Sequence, residues 1–388
     1  MSGGHIRKRG GRRGVATWEL KYDVDRADGR RQTVYRSFKG SKREAQVELA
    51  RLLAQANAGG HVDPSKLTVA DHVRARVAQW HAAGITSAKT HERYQELTEH
   101  QLARFPIGAR PLQKLSHADI EAWHTALKTK GRKDGTGGVS ARTIHHAHKL
   151  LTKALREGVK YGLVLRNVAV EERPPKIVAK PMQILSPEQV KDLAAKLAGR
   201  PICAPAVVSL FTGARRGELL ALSWSAVNLD RKVMEIRAAL EQTAEHGTRI
   251  KDPKTASGKR KIALPDIVVD TLREHRRQQL ELRLALGLGK APADALVFPS
   301  PGTERLWNPD AFSAAWNDVV VELGLGIGFH NLRHTHASQL IHAGVPITEI
   351  ANRLGHASPA TTLSIYAHMF EKDDSKAAAA INVALAGA

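Results

Sequence analysis

Cysteine is nearly absent from this chain: Cys203 is the only one in 388 residues. An intrachain disulfide is therefore excluded, and so is a thiolate-rich zinc site. Long apolar runs are missing as well. No stretch approaches the length of a membrane span, and the N-terminus lacks the basic-then-apolar pattern of a signal peptide. Those absences predict a soluble, cytoplasmic protein with no membrane partner. Acidic residues are scarce beside basic ones, 38 Asp and Glu against 59 Lys and Arg, for a formal charge of +21 and a pI near 10.2. An excess of that size calls for a polyanionic partner, most simply nucleic acid. The length allows two or three domains with real cores.

The N-terminal residues 1–66 carry 15 Lys and Arg against 7 Asp and Glu. The run Arg7, Lys8, Arg9, Arg12 and Arg13, interrupted by glycine, is too basic to pack by itself. Residues 17–24 and 33–38 alternate as strands do, with Asp28-Gly29 as the turn between them. Ser41 and Glu44 form a capping box for a helix to about Asn57. A small sheet with one helix and exposed arginines suits a β-ribbon in a DNA groove, or simply a solvated basic face.

Gly59-Gly60 and Asp63-Pro64 mark a linker. Helical patterns follow near 69–82, 88–103, 117–129 and 140–161, with Thr68, Ser116 and Ser140 placed as N-caps. Lys89, His91, Arg93, Arg142, His145, His146 and His148 dot these helices, as phosphate grips or as ordinary solvated positions. A second linker runs from Arg173 to Pro181. Ser186-Pro187-Glu188-Gln189 then opens an α+β region, with helices near 187–198 and 203–211. Short strands are expected near 233–238 and 260–264, and long helices near 266–286 and 309–323.

The stretch Phe329–Tyr366 holds the greatest density of chemistry. His330 and Arg333 are three residues apart and share a helix face. Ser358-Pro359 starts a fresh helix that carries Tyr366 about two turns in. A hydroxyl, imidazoles and a guanidinium thus converge on a phosphate-sized spot. The same residues, taken alone, also read as a helix-turn-helix that needs no catalysis.

Upstream, Thr-Gly-x-Arg-x-x-Glu stands at 212–218 and a lysine at 254 sits in a basic turn. With His-x-x-Arg at 330–333, Leu-Gly-His at 354–356 and Tyr366, these five elements in this order resemble the tyrosine recombinases of the phage-integrase type. The resemblance spans the chain and is strongest over 182–370. It implies an arm-type DNA-binding module at 1–62 (sheet plus helix), an all-α, SAM-like core-binding domain at 66–172, and a mainly α (α+β) catalytic domain at 180–388 with a C-terminal tail.

It also implies roles. Tyr366 attacks a phosphodiester to give a 3′-phosphotyrosyl bond, which stores the ester energy so that no nucleotide cofactor is required. His330 manages the tyrosine's proton. Arg215 and Arg333 clamp the phosphate. Lys254 protonates the leaving 5′-oxygen, with Lys251, Lys259 and Lys261 as rivals for that position. His356 donates to a non-bridging oxygen, and Glu218 orients an arginine or histidine.

Asn331 and His336 depart from the family's commonest spelling and put the packing of their helix in doubt. A metal is not expected: His330 and His334 are four apart, but no third ligand is placed to join them. Exchange of one strand pair at a time implies four protomers on two double-stranded sites, with core and arm sites and an accessory bending or directionality factor. Ala377–Ala388 would dock on a neighbouring protomer or pack in its own. A DNA-binding regulator and a type IB topoisomerase-like nickase remain as other readings.

Overall fold

In a computed structural model, which describes residues 4–12, 15–25, 31–57, 62, 64–178, 181–253, 256–367 and 375–386, the chain divides into two units, Met1–Ala179 and Lys180–Ala388. The first unit opens with an antiparallel sheet of β1 (Gly4–Arg12), β2 (Val15–Asp25) and β3 (Arg31–Lys39), in that order. The basic run is therefore a strand, because pairing along β2 supplies the backbone partners it could not find alone. Leu20, Tyr22 and Val24 alternate onto one face of β2 and are buried with Ala45, Leu49 and Leu52 of helix α1 (Lys42–Asn57). The Ser41–Glu44 box is present, each backbone N–H donating to the other's side chain at 2.7 and 3.2 Å. The expected turn at Asp28-Gly29 and the linker residues Gly59, Gly60 and Asp63 lie outside the described residues.

A second core in this unit belongs to helices α2 (Val69–Ala82), α3 (Ala88–Leu97), α4 (Pro106–Ala109), α5 (His117–Lys130) and α6 (Ala141–Lys160). The expected helix at 88–103 changes to wider π turns over Thr98–Ala103. At the start of α5 the expected cap is present, Ser116 and Asp119 completing a reciprocal box at 2.9 and 3.3 Å. In α6, Ile144, Ala147, Leu151, Ala154 and Leu155 form the buried stripe that a 3.6-residue period produces. Nε2 of buried His124 and Nδ1 of buried His148 share a hydrogen bond of 3.1 Å, tying α5 to α6.

The second unit begins with α7 (Pro187–Leu197), opened by the Ser186–Gln189 box, and the apolar α8 (Cys203–Thr212). After α9 (Arg216–Leu220), strands β4 (Val227–Asn228), β5 (Val233–Ile236) and β8 (Arg260–Ala263) make an antiparallel sheet with β5 central. Between them, β6 (Ala239–Thr243) and β7 (Gly247–Lys251) form a hairpin that the sequence reading did not foresee. Helices α10 (Asp266–Ala285), α11 (Pro309–Glu322), α12 (His330–His342), α13 (Ile347–Leu354), α14 (Pro359–Tyr366) and α15 (Ser375–Ala386) complete it. Phe329 seats the start of α12 in the core, edge-on to Phe312 and Trp316 at 4.8 and 5.3 Å. Asn331 fastens the same turn: its Nδ2 donates to Gln183 O at 2.7 Å and its Oδ1 accepts from Gly328 N–H at 3.1 Å.

Candidate active site

The site is assembled in the second unit from two glycine corners and one buried helix. Gly213 ends α8 with φ +70°, and a Cβ there would lie 2.6 Å from Leu354 and 2.8 Å from the His336 ring. Its carbonyl accepts from Arg333 Nη1 at 2.6 Å. Gly355 ends α13 with φ +65°, where a Cβ would meet Arg260 Nη1 at 2.7 Å and Ser257 O at 3.0 Å. Only glycine fits such corners.

Arg333 is 2% exposed and spans both corners. Its Nη2 donates to Leu354 O at 2.7 Å and to His356 Nε2 at 2.9 Å. Because a guanidinium only donates, Nε2 of His356 is the acceptor, and Nδ1–H donates to Thr362 Oγ1 at 2.7 Å. Arg215, half-buried at the start of α9, donates from Nη1 to Glu218 Oε1 at 2.7 Å and from Nη2 to Gly355 O at 3.3 Å. The carboxylate of Glu218 is gripped from its other side by Arg260, Nη1 to Oε1 at 3.0 Å and Nη2 to Oε2 at 2.9 Å. Arg260 also donates from Nε to Arg353 O at 2.7 Å and from Nη1 to Gly258 O at 3.3 Å. One guanidinium thus stitches the end of the basic turn to α9 and to the end of α13.

Tyr366, at the end of α14, is 1% exposed among Ala337, Ile341, Ile350 and Leu354. Its hydroxyl is 2.7 Å from His334 Nδ1. His330 stands exposed at the start of α12, its ring edge-on to that of His334 with centroids 4.8 Å apart. Of the two imidazoles, His334 rather than His330 touches the hydroxyl.

The charges are arranged for an anion. Burial presses Arg333 down to about 9, and the Arg215 charge adds to it. Desolvation, then the cationic neighbours, push His330 and His356 down to about 4, so both rings are neutral. Burial drives Tyr366 up to about 12, only partly offset by Arg333. Burial also works to raise Glu218, but its hydrogen bonds and charge contacts with Arg260 and Arg215 hold it below the usual carboxylate range. That single carboxylate faces three guanidinium groups. His336, the unusual spelling, is buried and neutral with a pKa near 3, and accepts from Arg353 Nε at 3.0 Å.

The remaining expected residues are scattered. Lys254 lies outside the described residues. Of its rivals, Lys251 is ion-paired with buried Glu241, Lys259 with Asp252 at 2.9 Å, and Lys261 is exposed. Arg216 is bound to Pro309 O at 2.9 Å, away from the cluster's hydrogen bonds. In the first unit, Arg7 and Lys8 are exposed on β1, and Arg9 is paired with Glu19. Arg12 is in β1 without a described side chain, and Arg13 lies outside the described residues. Lys89 is paired with Glu92 at 2.6 Å, and Arg142 is exposed. Sequence reasoning missed His334, Arg260 and Arg353. The signal for His334 was its i+4 spacing from His330, weighed only for a metal, whereas Arg260 was one basic residue among several.

Residues 183–373 match the phage integrase family. An integrase of Streptomyces ambofaciens is 30% identical over 373 residues, 91% of this chain and 89% of its own length. A XerC-like tyrosine recombinase of Caldanaerobacter subterraneus subsp. tengcongensis is 23% identical over 88% of this chain and 90% of its own. Among solved structures, the Tn1549 transposon integrase in complex with a circular intermediate DNA superposes with a TM-score of 0.67 at 18% identity, covering 82% of this chain and 99% of that one. A lambda integrase dimer bound to a core site gives 0.54 at 16% identity, over 94% and 93%. These two likenesses show the fold.

Proposed function

The chain belongs to the phage integrase family of site-specific tyrosine recombinases, and from that premise we propose that Tyr366 cuts and rejoins DNA strands through a 3′-phosphotyrosyl bond. The observation that carries this reading is the under-neutralised cluster: Arg215 and Arg260 bonded to the one buried carboxylate of Glu218, buried Arg333 beside them, and neutral His330 and His356 at its edge. Such a cluster is costly until an anion enters, and a phosphodiester supplies one negative charge between planar donors.

Attack by Tyr366 Oη forms the O–P bond as the bond to the 5′-oxygen breaks. Arg215 and Arg333 stabilise the charge that builds on the non-bridging oxygens. His356 joins them once Arg333 turns toward the phosphate and the ring shifts its proton from Nδ1 to Nε2, Nδ1 then accepting from the Thr362 hydroxyl. His330 at the mouth passes on the proton that leaves the nucleophile through the ring behind it. Lys254 returns a proton to the 5′-oxygen, which makes religation the same path reversed. No metal or nucleotide cofactor has a step to perform in this scheme.

The partners follow from the chemistry. Double-stranded DNA at core sites is the substrate of the 180–388 domain, with the helical 66–172 domain holding the duplex. The basic 1–62 module reads arm sites. Four protomers on two sites exchange one strand pair at a time, with an accessory bending or directionality factor, in the cytoplasm.

The test is a covalent trap. Protein is mixed with a supercoiled plasmid library in EDTA and denatured with detergent, with Tyr366→Phe alongside. A DNA-linked protein that forms without metal and vanishes in the Phe variant is the expected result. An adduct that persists in the variant moves the nucleophile elsewhere, and DNA binding without any adduct overturns the enzyme reading.

A further inference from the structure

Resting on that reading of Tyr366 as nucleophile, we propose that His334 is a further catalytic residue, the group that takes the proton from the tyrosine hydroxyl as it attacks. The argument starts from helix periodicity. His330, His334, Ala337 and Ile341 recur at intervals of four, three and four, so one face of α12 presents two imidazoles followed by two apolar side chains. Ala337 and Ile341 pack with Tyr366 in the small core beneath α14. That packing sets the ring so that its hydroxyl meets the imidazole one turn earlier, Nδ1 to Oη at 2.7 Å. The ring of His330, one turn earlier still, meets the edge of His334 and not the tyrosine.

The direction of the hydrogen bond follows from the inventory of groups. A buried phenol requires an acceptor for its hydrogen, and Nδ1 of His334 is the one partner of this hydroxyl among the described residues. With Nδ1 as acceptor, the ring carries its own proton on Nε2. Burial and the adjacent Arg333 hold His334 below its ordinary value, so the ring is neutral and open to a proton. The phenol does not give that proton up at rest, since burial lifts its pKa to about 12. Transfer is therefore coupled to the O–P bond: as Oη bonds phosphorus, its acidity rises and the proton passes to Nδ1. The bond to the 5′-oxygen breaks, and that oxygen takes its proton from Lys254. Religation reverses each transfer, His334 returning the proton to the departing tyrosine.

The experiment uses the full chain and the DNA fragment recovered from the plasmid adduct, rebuilt as a duplex with either oxygen or sulfur bridging to the 5′ carbon at the cleaved position. A sulfur leaving group needs no acid, so it isolates the nucleophile's proton from that supplied to the leaving group. His334→Ala is expected to slow adduct formation about 100-fold or more on both duplexes. His334→Gln, which accepts a hydrogen bond but holds no proton, should be as slow. Free imidazole should return part of the rate to the Ala variant, which a misfolded protein would not show. Lys254→Ala should be slow on the oxygen duplex alone. A His334→Ala rate within about threefold of the unsubstituted chain, or above it, would mean the imidazole only parks the tyrosine, and a defect cured by sulfur would assign it to the leaving group. Absence of adduct with the unsubstituted chain would instead remove the parent reading, and this one with it.

Discussion

Arg260 closes both of its Nη atoms on the two carboxylate oxygens of Glu218, at 3.0 and 2.9 Å, and both side chains are less than one-tenth exposed. A planar fork against a planar carboxylate is the strongest form of this pair, and here it fixes a third group. Glu218 spends its remaining capacity on the Nη1 and backbone N–H of Arg215, at 2.7 and 2.9 Å. The orientation of Arg215 thus depends on a residue 45 positions downstream.

Removing Arg260 should therefore cost both stability and rate. In Arg260→Ala, Glu218 keeps its burial but loses its main counter-charge, a loss of about 3–5 kcal/mol for a broken buried pair. Arg260→Lys keeps the charge without the fork and should fall between. Urea denaturation read beside the covalent-adduct rate checks this. An Ala variant of undiminished stability would show that the pair does not hold the corner.

Arg333 makes three contacts with two backbone carbonyls and one imidazole, and a lysine reaches at most part of that set. Arg333→Lys should keep the fold and DNA binding while lowering adduct formation about 100- to 1,000-fold, the usual cost of one transition-state donor. Gel-shift affinity measured together with adduct rate separates the two. Equal losses in binding and rate would contradict a role confined to the transition state.

Gly355 tests the corner from its backbone. Gly355→Ala forces a left-handed residue and drives its Cβ against Arg260 and Ser257 O. The expected loss is about 1–3 kcal/mol, with a drop in rate because Arg260 is the movable neighbour. Gly344, also left-handed but open, is the control: its Ala variant should lose stability with no change in rate. Equal rate defects in both variants would mean the corner has no special link to the chemistry.

Acid should destabilise the fold through histidines that refuse protons. His336 has a folded pKa near 3 and His148 one near 4, both depressed first by burial. Above the ordinary value of about 6.5 neither state is protonated, and the full stability is present. As pH falls below it, the unfolded chain takes up protons that the folded chain does not, and stability drains at up to about 1.4 kcal/mol per pH unit per histidine. Thermal melts of the full chain between pH 7.5 and 4.5 should show Tm falling. His336→Asn, whose amide oxygen still accepts from Arg353, should flatten that slope, and an unchanged slope would remove His336 as a cause.

Much of this was legible because local chemistry and final structure agree. The Ser186–Gln189 and Ser116–Asp119 boxes named their helix starts. The rest depended on contacts between residues far apart in the chain. In α12 the successive residues 335–338 are all buried, so no stripe distinguishes the side of His334 from that of His336. Glu241 binds Arg249 and Lys251 across β6 and β7, a partnership invisible until the hairpin forms. The run Arg7–Arg12 read as unpacked because a strand's partner backbone leaves no trace in its own composition.

That strand supplies a final expectation. Register places Arg7 beside Glu19 and Ser37, and Lys21 between His5 and Tyr35, all on the face of the sheet opposite Leu20 and Tyr22. The face turned from α1 thus carries Arg7 and Lys21 beside Glu19 and Asp23, together with Tyr35, which is 60% exposed. Its charges sit on a rigid sheet, so they can meet phosphates with little further ordering. Arg7→Ala and Lys21→Ala should each lower the slope of log binding constant against log salt by about 1 on arm-site DNA. The same substitutions should leave the slope on an isolated core site unchanged, since the contacts proposed there belong to the helical and catalytic domains. Fluorescence anisotropy across a salt series measures both. Equal changes on the two DNAs would mean that the sheet adds only general attraction, and unchanged slopes on both would mean that it does not touch DNA.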